Sequence, residues 1–284
     1  MYLNIMITIF FKGEKMIKKV LLFTAIFLSS LFSNSLSEIK DKGVLRVGVF
    51  TEQPPFGQLV DGAFTGFEVD FANAIAQNLF KDRGGKVEFV ATRADQRLDF
   101  VEKNKVDILL ATFTITDERL KKIDFSLPYF SVNIGVLSKK SDNIKKESDL
   151  RGKKVLVESG TTGQAYFVSK GYDTVSCPNS NECYKMLRDG AGDAYANDNL
   201  IVLAYPVVDR SMEVNIKNLG ASDFLGVGVA KGNKDLLNFV NDTLVKLSKD
   251  GFFRKTFKDT IDPFYKGTAE QKYFLLEDIY KIFG

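Results

Sequence analysis

The chain has 284 residues, 45% of them hydrophobic and 26% charged, enough for one large domain or two ordinary ones with real cores. Its net charge is +3, but Lys12, Lys15, Lys18, Lys19 and Glu14 lie in a segment that reads as removed, leaving 35 residues of each sign and a mature charge of zero. Interleaved, balanced charge argues against nucleic-acid binding, and two cysteines with no histidine cannot fill a tetrahedral metal site or supply a histidine-based triad; no cofactor is expected.

The chain opens with an address. Lys18 and Lys19 precede the apolar run 20–32 and the small residues Ser33-Asn34-Ser35, the three regions of a secretory signal. Residues 1–35 are therefore expected to be cleaved, with a true start at Met16 accounting for the extra apolar run before it. Thirteen residues are short for an anchor, since hydrocarbon ~30 Å thick needs ~20 helical residues. No cysteine near the cut offers a lipid attachment point. The expected location is the periplasm.

Residues 45–50 alternate and then run apolar, as a first core strand should, and Pro54-Pro55-Phe56-Gly57 must be a loop at its end, bringing Glu52 and Gln53 with it. Gly62 and Gly66 punctuate a hairpin. Phe67, Phe71, Ile75 and Leu79 then keep helical spacing, a stripe that reads as core. A strand at 86–91, a helix at 95–104 and a buried strand from Val106 complete a β-α-β-α-β run, which predicts a parallel sheet.

That last strand opens into Thr112, Thr114 and Thr116, with Asp117 expected to cap a short helix carrying Arg119. Ligands in such sheets bind beyond the carboxyl ends of the strands, and a guanidinium there suits a carboxylate. A solvated surface arginine is the plainer alternative. Residues 131–138 form one longer β stretch, followed by the lysine-rich segment 139–147, where the chain is expected to cross into a second lobe. That lobe opens with Arg151-Gly152-Lys153-Lys154-Val155-Leu156-Val157, an echo of Lys42-Gly43-Val44-Leu45-Arg46-Val47 that suggests two related α/β units.

Glu158-Ser159-Gly160-Thr161-Thr162 follows, leading into a helix over 162–170 whose first backbone N–H groups suit an anion, or are simply capped. Cys177 and Cys183 flank Pro178, Asn179 and Asn181, and in an exported chain a small disulfide loop is the first expectation, two free thiols the other. Asn197-Asp198 ends the second lobe's counterpart of the Thr-rich strand, before a helix over 200–205 that Asp198 could merely cap. Gly226 to Ala230 reads as the return crossing, 234–249 as a helix with Leu236, Val240, Leu244 and Leu247 inward, and 252–257 as a further short helix.

Thr112-Phe113-Thr114-Ile115-Thr116-Asp117-Glu118-Arg119, with Ile123-Asp124-Phe125-Ser126 and Tyr129-Phe130 after it, resembles the signature of the polar amino-acid family of bacterial solute-binding proteins, the soluble receptors of ABC importers. The likeness runs over about 44–258. It implies an α/β, two-lobed periplasmic-binding-protein fold of type II. Lobe 1 would be 36–130 plus 225–284, lobe 2 131–224, and two crossing strands would join them. It also implies a monomer whose partners are a free L-amino acid and the inner-membrane permease of an importer. Positions matching Thr114, Arg119 and Thr162 would bind the ligand carboxylate, and those matching Thr112, Thr114 and Asp198 its amino group; Thr161 and Asn197 adjoin them. Arg97, ten residues before Asp107, resembles members that bind aspartate, glutamate or cysteine. An unpaired Glu158 would repel an acidic ligand, and Phe50 departs from an acidic residue of some glutamine receptors. The ligand expected first is neutral polar or sulfur-containing, such as cysteine or glutamine, with aspartate or glutamate second. A dehydratase-type enzyme on the same fold, using Glu158 or Glu52 as acid, is the main rival, and an adhesin or chemoreceptor partner a third.

Overall fold

The computed structural model describes residues 33–269 and 271 of the chain, so the predicted signal up to residue 32 and most of the tail beyond 265 lie outside the described residues. Ser35 caps the first helix, Leu36–Lys42, reciprocally with Glu38, and Asn34 donates to Asp107. Both contacts involve residues that a cut after Ser35 would remove.

Strands β1 (Val44–Phe50), β2 (Glu52–Gln53), β3 (Gly57–Val60) and β4 (Ala63–Thr65) come first, with β2 to β4 forming a small antiparallel sheet. The helix Phe67–Phe80 follows, then β5 (Lys86–Thr92), the helix Arg97–Glu102, β6 (Ile108–Leu109), the helix Asp117–Leu120 and β7 (Ile123–Phe125). In the first large sheet the order is β5-β1-β6-β13-β7, where β13 (Gly228–Ala230) returns from far along the chain. The β5, β1 and β6 strands are parallel, as the β-α-β-α-β run predicts, but β13 lies antiparallel to both neighbours. The expected return crossing is thus already a strand of this sheet, and the chain crosses just before it.

The second sheet has the order β10-β9-β11-β8-β12, from β8 (Phe130–Lys139), β9 (Lys154–Glu158), β10 (Asp173–Cys177), β11 (Ala194–Asp198) and β12 (Met212–Leu225). Here β10, β9 and β11 are parallel and β8 antiparallel. Both sheets place their first parallel strand between the second and the third, so the sequence echo before β1 and β9 marks equivalent positions. The crossing strands β8 and β12 pair with each other, and Phe130 opposite Leu225 marks where both pass between the sheets.

Phe67, Phe71, Ile75 and Leu79 are all buried, as helical spacing requires. Their core extends through an edge-to-face ring network: Phe71 meets Tyr129 at 5.4 Å and Phe253 at 4.9 Å, and Phe56 meets Phe130 at 5.6 Å. This core therefore grips the foot of the crossing strand. It also takes in Leu200 and Ile201 from the helix Asn199–Leu203 after β11, and the Tyr265 hydroxyl donates to the Leu200 carbonyl. The second core, around Val136, Val155, Val157 and Phe167, is smaller.

Cys177 and Cys183 are joined, not across a loop but from the end of β10 to the second turn of the helix Ser180–Arg188. Closing so short a segment removes little unfolded-state entropy. Replacing both cysteines by serine should lower unfolding free energy by about 2 kcal/mol in a urea titration; a loss above about 4 kcal/mol would show that the bridge also holds native packing.

Candidate ligand-binding cleft

The strand ends of the two large sheets face one another across a small, nearly filled cavity. Nine of the eleven residues expected at the site line it: Gln53, Arg97, Thr112, Thr114, Glu158, Thr161, Thr162, Asn197 and Asp198, together with Phe50, Ala94 and Ile201. Arg119 stands at its rim and Glu52 is exposed in a neighbouring recess.

On the first-sheet side the extended run beyond β6 breaks at Thr112, whose φ of 40° is rare for a β-branched residue. The regular alternation of the three threonines is therefore absent. Glu68 holds the kink: its Oε1 accepts the Thr112 backbone N–H at 2.7 Å and also the Tyr129 hydroxyl. Glu68 Oε2 is buried with no partner among the described residues, and desolvation pushes the carboxyl up to about 7 against those two hydrogen bonds. Nothing in the sequence analysis singled out Glu68. Its signal was position: with Ala72, Ile75 and Leu79 it falls on the i, i+4, i+7 stripe that faces the core.

Arg97 is buried and committed to backbone carbonyls: Nε to Ala94 at 3.1 Å, Nη1 to Ala111 at 3.0 Å and Thr112 at 2.8 Å, Nη2 to Gly160 at 3.0 Å. Four of its five N–H groups are thus engaged among the described residues, and its plane stands 5.0 Å from the Phe113 ring. Arg119 follows a helix start that Thr116 caps, not Asp117 as expected; Asp117 is the first helical residue, and the cap needs the extended backbone that Thr116 has. Its fork donates to Thr114 O at 2.7 Å and to Gly160 O at 2.9 Å. Burial, and then Arg97 beside it, lower its pKa to about 9, so it stays charged at neutral pH.

From the second sheet, Thr161 caps its helix by accepting the Gln164 N–H, while its hydroxyl donates to Glu158 O at 2.8 Å. Thr162 Oγ1 is buried without a well-formed hydrogen bond, though it lies near enough to Asp223 to favour that carboxylate. Glu158 is hydrogen-bonded, not unpaired: Ser180 lies 2.7 Å and Asn197 Nδ2 2.9 Å from its Oε2. Desolvation raises its pKa, and Ser180, Arg97 and Asn197 moderate the rise. Ser180, at the start of its helix, lies 2.8 Å from Gln53 Oε1 on β2 as well, bridging the two sides of the cleft, and the Tyr195 hydroxyl, 2.7 Å from Asn197, completes the cluster. Neither Ser180 nor Tyr195 stood out in the sequence.

Asp198 occupies the cap position of the helix Asn199–Leu203, yet its side chain makes no cap bond. The carboxylate is left for the cavity. Burial raises its pKa to about 7, opposed by Arg97 and Arg119 and reinforced by Asp223. Hydroxyls and an uncommitted carboxylate on one side, with guanidinium groups on the other, can hold a small zwitterion. Among the described residues no group of three potential ligands could hold a metal ion, and no helix is long and apolar enough to cross a membrane.

Residues 45–261 match the bacterial extracellular solute-binding proteins, family 3. The L-cystine-binding protein TcyJ of Escherichia coli (strain K12) is 35% identical over 221 residues, covering 76% of this chain and 82% of that protein. The solute receptor for L-cysteine of Neisseria gonorrhoeae is 37% identical with a TM-score of 0.81, over 85% of this chain and 99% of that one. The cysteine-binding protein from Campylobacter jejuni is 36% identical with a TM-score of 0.82, over 86% and 99%. Two of these relatives are named as binding proteins and one as a solute receptor, and the chain is a binding protein, not an enzyme. With its paired three-strand parallel units, its two crossing strands and a polar cleft between them, the chain belongs to the family 3 bacterial extracellular solute-binding proteins and has their two-lobed type II periplasmic-binding fold.

Proposed function

We propose that the chain is a monomeric periplasmic receptor that captures one small polar L-amino acid and delivers it to the permease of an ABC importer. The observation that carries this reading is the Asp198 carboxylate, buried at a helix start without capping it and within electrostatic reach of Arg97 and Arg119. Asp198, with Thr112 and Thr114, would take the ligand ammonium. Arg119, with the Thr114 and Thr162 backbone N–H groups, would take the carboxylate. For that the Arg119 fork must turn from the Thr114 and Gly160 carbonyls that it now meets.

Residues 36–130 with 225–284 would move as one lobe and 131–224 as the other, about the Phe130 and Leu225 junction. Relatives named for L-cysteine and L-cystine support a sulfur-containing ligand first, with other neutral polar amino acids next and acidic ones after them. The hydrogen bonds to Glu158 weaken the case against acidic ligands without removing its charge.

A thermal-shift panel of amino acids on ligand-stripped protein tests the function. A ligand at a hundred times its Kd should add about 2.7 kcal/mol of stability, and silence from all of them would refute an amino-acid receptor. Arg119→Ala and Asp198→Asn should each weaken binding by about 3 kcal/mol in calorimetry while the protein stays folded; unchanged affinity in either would move that half of the zwitterion elsewhere.

The pH dependence follows from Asp198. In the closed form its pKa of about 7 lies above its ordinary value of 3.8, so this form binds more protons than the unfolded chain between those values and loses stability as pH rises through that window. Glu68, also near 7, adds in the same direction. An ammonium needs the ionised carboxylate, so affinity should rise from about pH 5 to about pH 8, with proton release on binding. A flat profile in wild type, or a profile unchanged in Asp198→Asn, would contradict this.

Gly160 has φ 82°, and a Cβ there would stand 2.8 Å from both Ala94 O and Asp95 Cα across the cleft. Gly160→Ala should lower ligand-free stability by only about 1 kcal/mol and affinity about tenfold, because the clash exists only when the lobes meet. Equal losses in both measurements would show a purely local backbone effect.

A further inference from the structure

The helical run from Phe252 to Tyr265 buries one stripe. Phe253, Phe257, Ile261 and Tyr265 follow one another at intervals of four and are all buried, although an α-helix of about 3.6 residues per turn would carry such a stripe slowly round its axis. Between Phe257 and Ile261 the backbone takes wider, π-helical turns, which keep positions four apart in line. The stripe runs past residue 261, where the family match ends.

Its partner is a helix that follows the second sheet's β11. Leu200 and Ile201 share one core with Phe257, Ile261 and Tyr265, and Phe257 stacks on Phe130 at the foot of β8, with ring centres 6.3 Å apart. The Tyr265 hydroxyl, fully buried, donates to the Leu200 carbonyl at 2.5 Å. That carbonyl is open to it because the helix Asn199–Leu203 ends early. The Ala204 N–H, which a continued α-helix would aim at Leu200 O, goes instead to Ile201 O at 3.3 Å, and Pro206 has no N–H with which to extend the ladder. A buried carbonyl needs a donor, and the phenol is one.

The same helix carries part of the site. Asp198 immediately precedes it, and Ile201 lines the central cavity. Because the Asp198 side chain makes no cap bond, the aim of its carboxylate follows the seating of this helix. Asn199 Oδ1 accepts the Asn133 N–H of β8 at 3.4 Å, a long bond, while Tyr265 makes a short one at Leu200.

We propose that Tyr265 is a positioning residue for the ammonium half of the site: from the carboxyl-terminal end of the first lobe it holds the second-lobe helix that aims Asp198. The start of the tail thereby sets ligand affinity although Tyr265 does not line the cavity. The bond runs between the two lobes as divided above, beside the Phe130 and Leu225 junction. This inference rests on the receptor reading and deepens it.

The test compares the ligand-stripped full chain as wild type, Tyr265→Phe and Ile75→Val, the last trimming the same core from the helix Phe67–Phe80. Titration calorimetry uses the common amino acids and L-cystine as probes. Tyr265→Phe keeps the ring and removes only the hydroxyl. It should weaken whichever probes bind wild type by about fivefold, as loss of one buried hydrogen bond would. It should also move the rise of affinity with pH to lower pH, because a loosened helix admits water to Asp198 and burial is the first cause of its raised pKa. Arg97, Asp223, Arg119 and Glu158, the charged groups that act on Asp198, are the same in all three proteins. Ile75→Val should lower stability in urea comparably and change neither affinity nor pH profile. Unchanged affinity in Tyr265→Phe, equal weakening in both variants, or weakening with the pH profile in place each overturn the positioning role while sparing the receptor reading. Binding of none of the probes by wild type overturns both.

Discussion

One carbonyl gathers two guanidinium groups across the cleft. Gly160 O, from the second sheet's side, accepts Nη2 of Arg97 at 3.0 Å and Nη2 of Arg119 at 2.9 Å, both from the first. Charge-assisted bonds of this kind are the stronger class, and two converge on one acceptor. Only a residue without a side chain can bring that carbonyl so close, since any Cβ would collide with the backbone at Ala94 and Asp95. The central cavity is small because this contact is made.

Exclusion of water follows from closure, and the electrostatics follow from the exclusion. Glu68, Glu158 and Asp198 are all carboxyls raised by desolvation, yet each has a different surrounding. Glu68 is anchored to a backbone N–H and a tyrosine, Glu158 to a serine and an asparagine, while Asp198 faces the cavity with arginines as its opposing charges. The first two shape the walls. The third is the one that, in the proposed receptor, would exchange a proton for the ligand ammonium.

The same groups link the site to the moving parts. Tyr129 donates to Glu68, packs against Phe71 and immediately precedes β8, one of the two strands that cross between the sheets. Thr114 bridges to Leu225 at the foot of the other, and Tyr129 N donates to Leu225 O. The kinked Thr112 turn, the hinge and the aromatic core are therefore one bonded unit, through which a change at the ligand would be felt at the crossing.

Much of this was legible in the residues themselves. Helical spacing at Phe67, Phe71, Ile75 and Leu79, apolar runs in β1, β9 and the strand into Leu110, and the echo before β1 and β9 depend on local periodicity and so survive in one dimension. The Thr-rich turn with Arg119, and the Thr161-Thr162 and Asn197-Asp198 strand ends, were recognisable because parallel sheets bind at such ends. What the sequence could not contain was the pairing of side chains far apart along it. Glu68 meets Thr112 and Tyr129 across 44 and 61 residues, and Ser180 meets Gln53 across 127. Whether Asp198 capped a helix or faced the cavity, whether Arg97 was solvated or buried among carbonyls, and whether Glu158 was paired were all decided by tertiary packing. Hydrogen bonding and desolvation depend on distance and enclosure in space, and only the folded chain sets those.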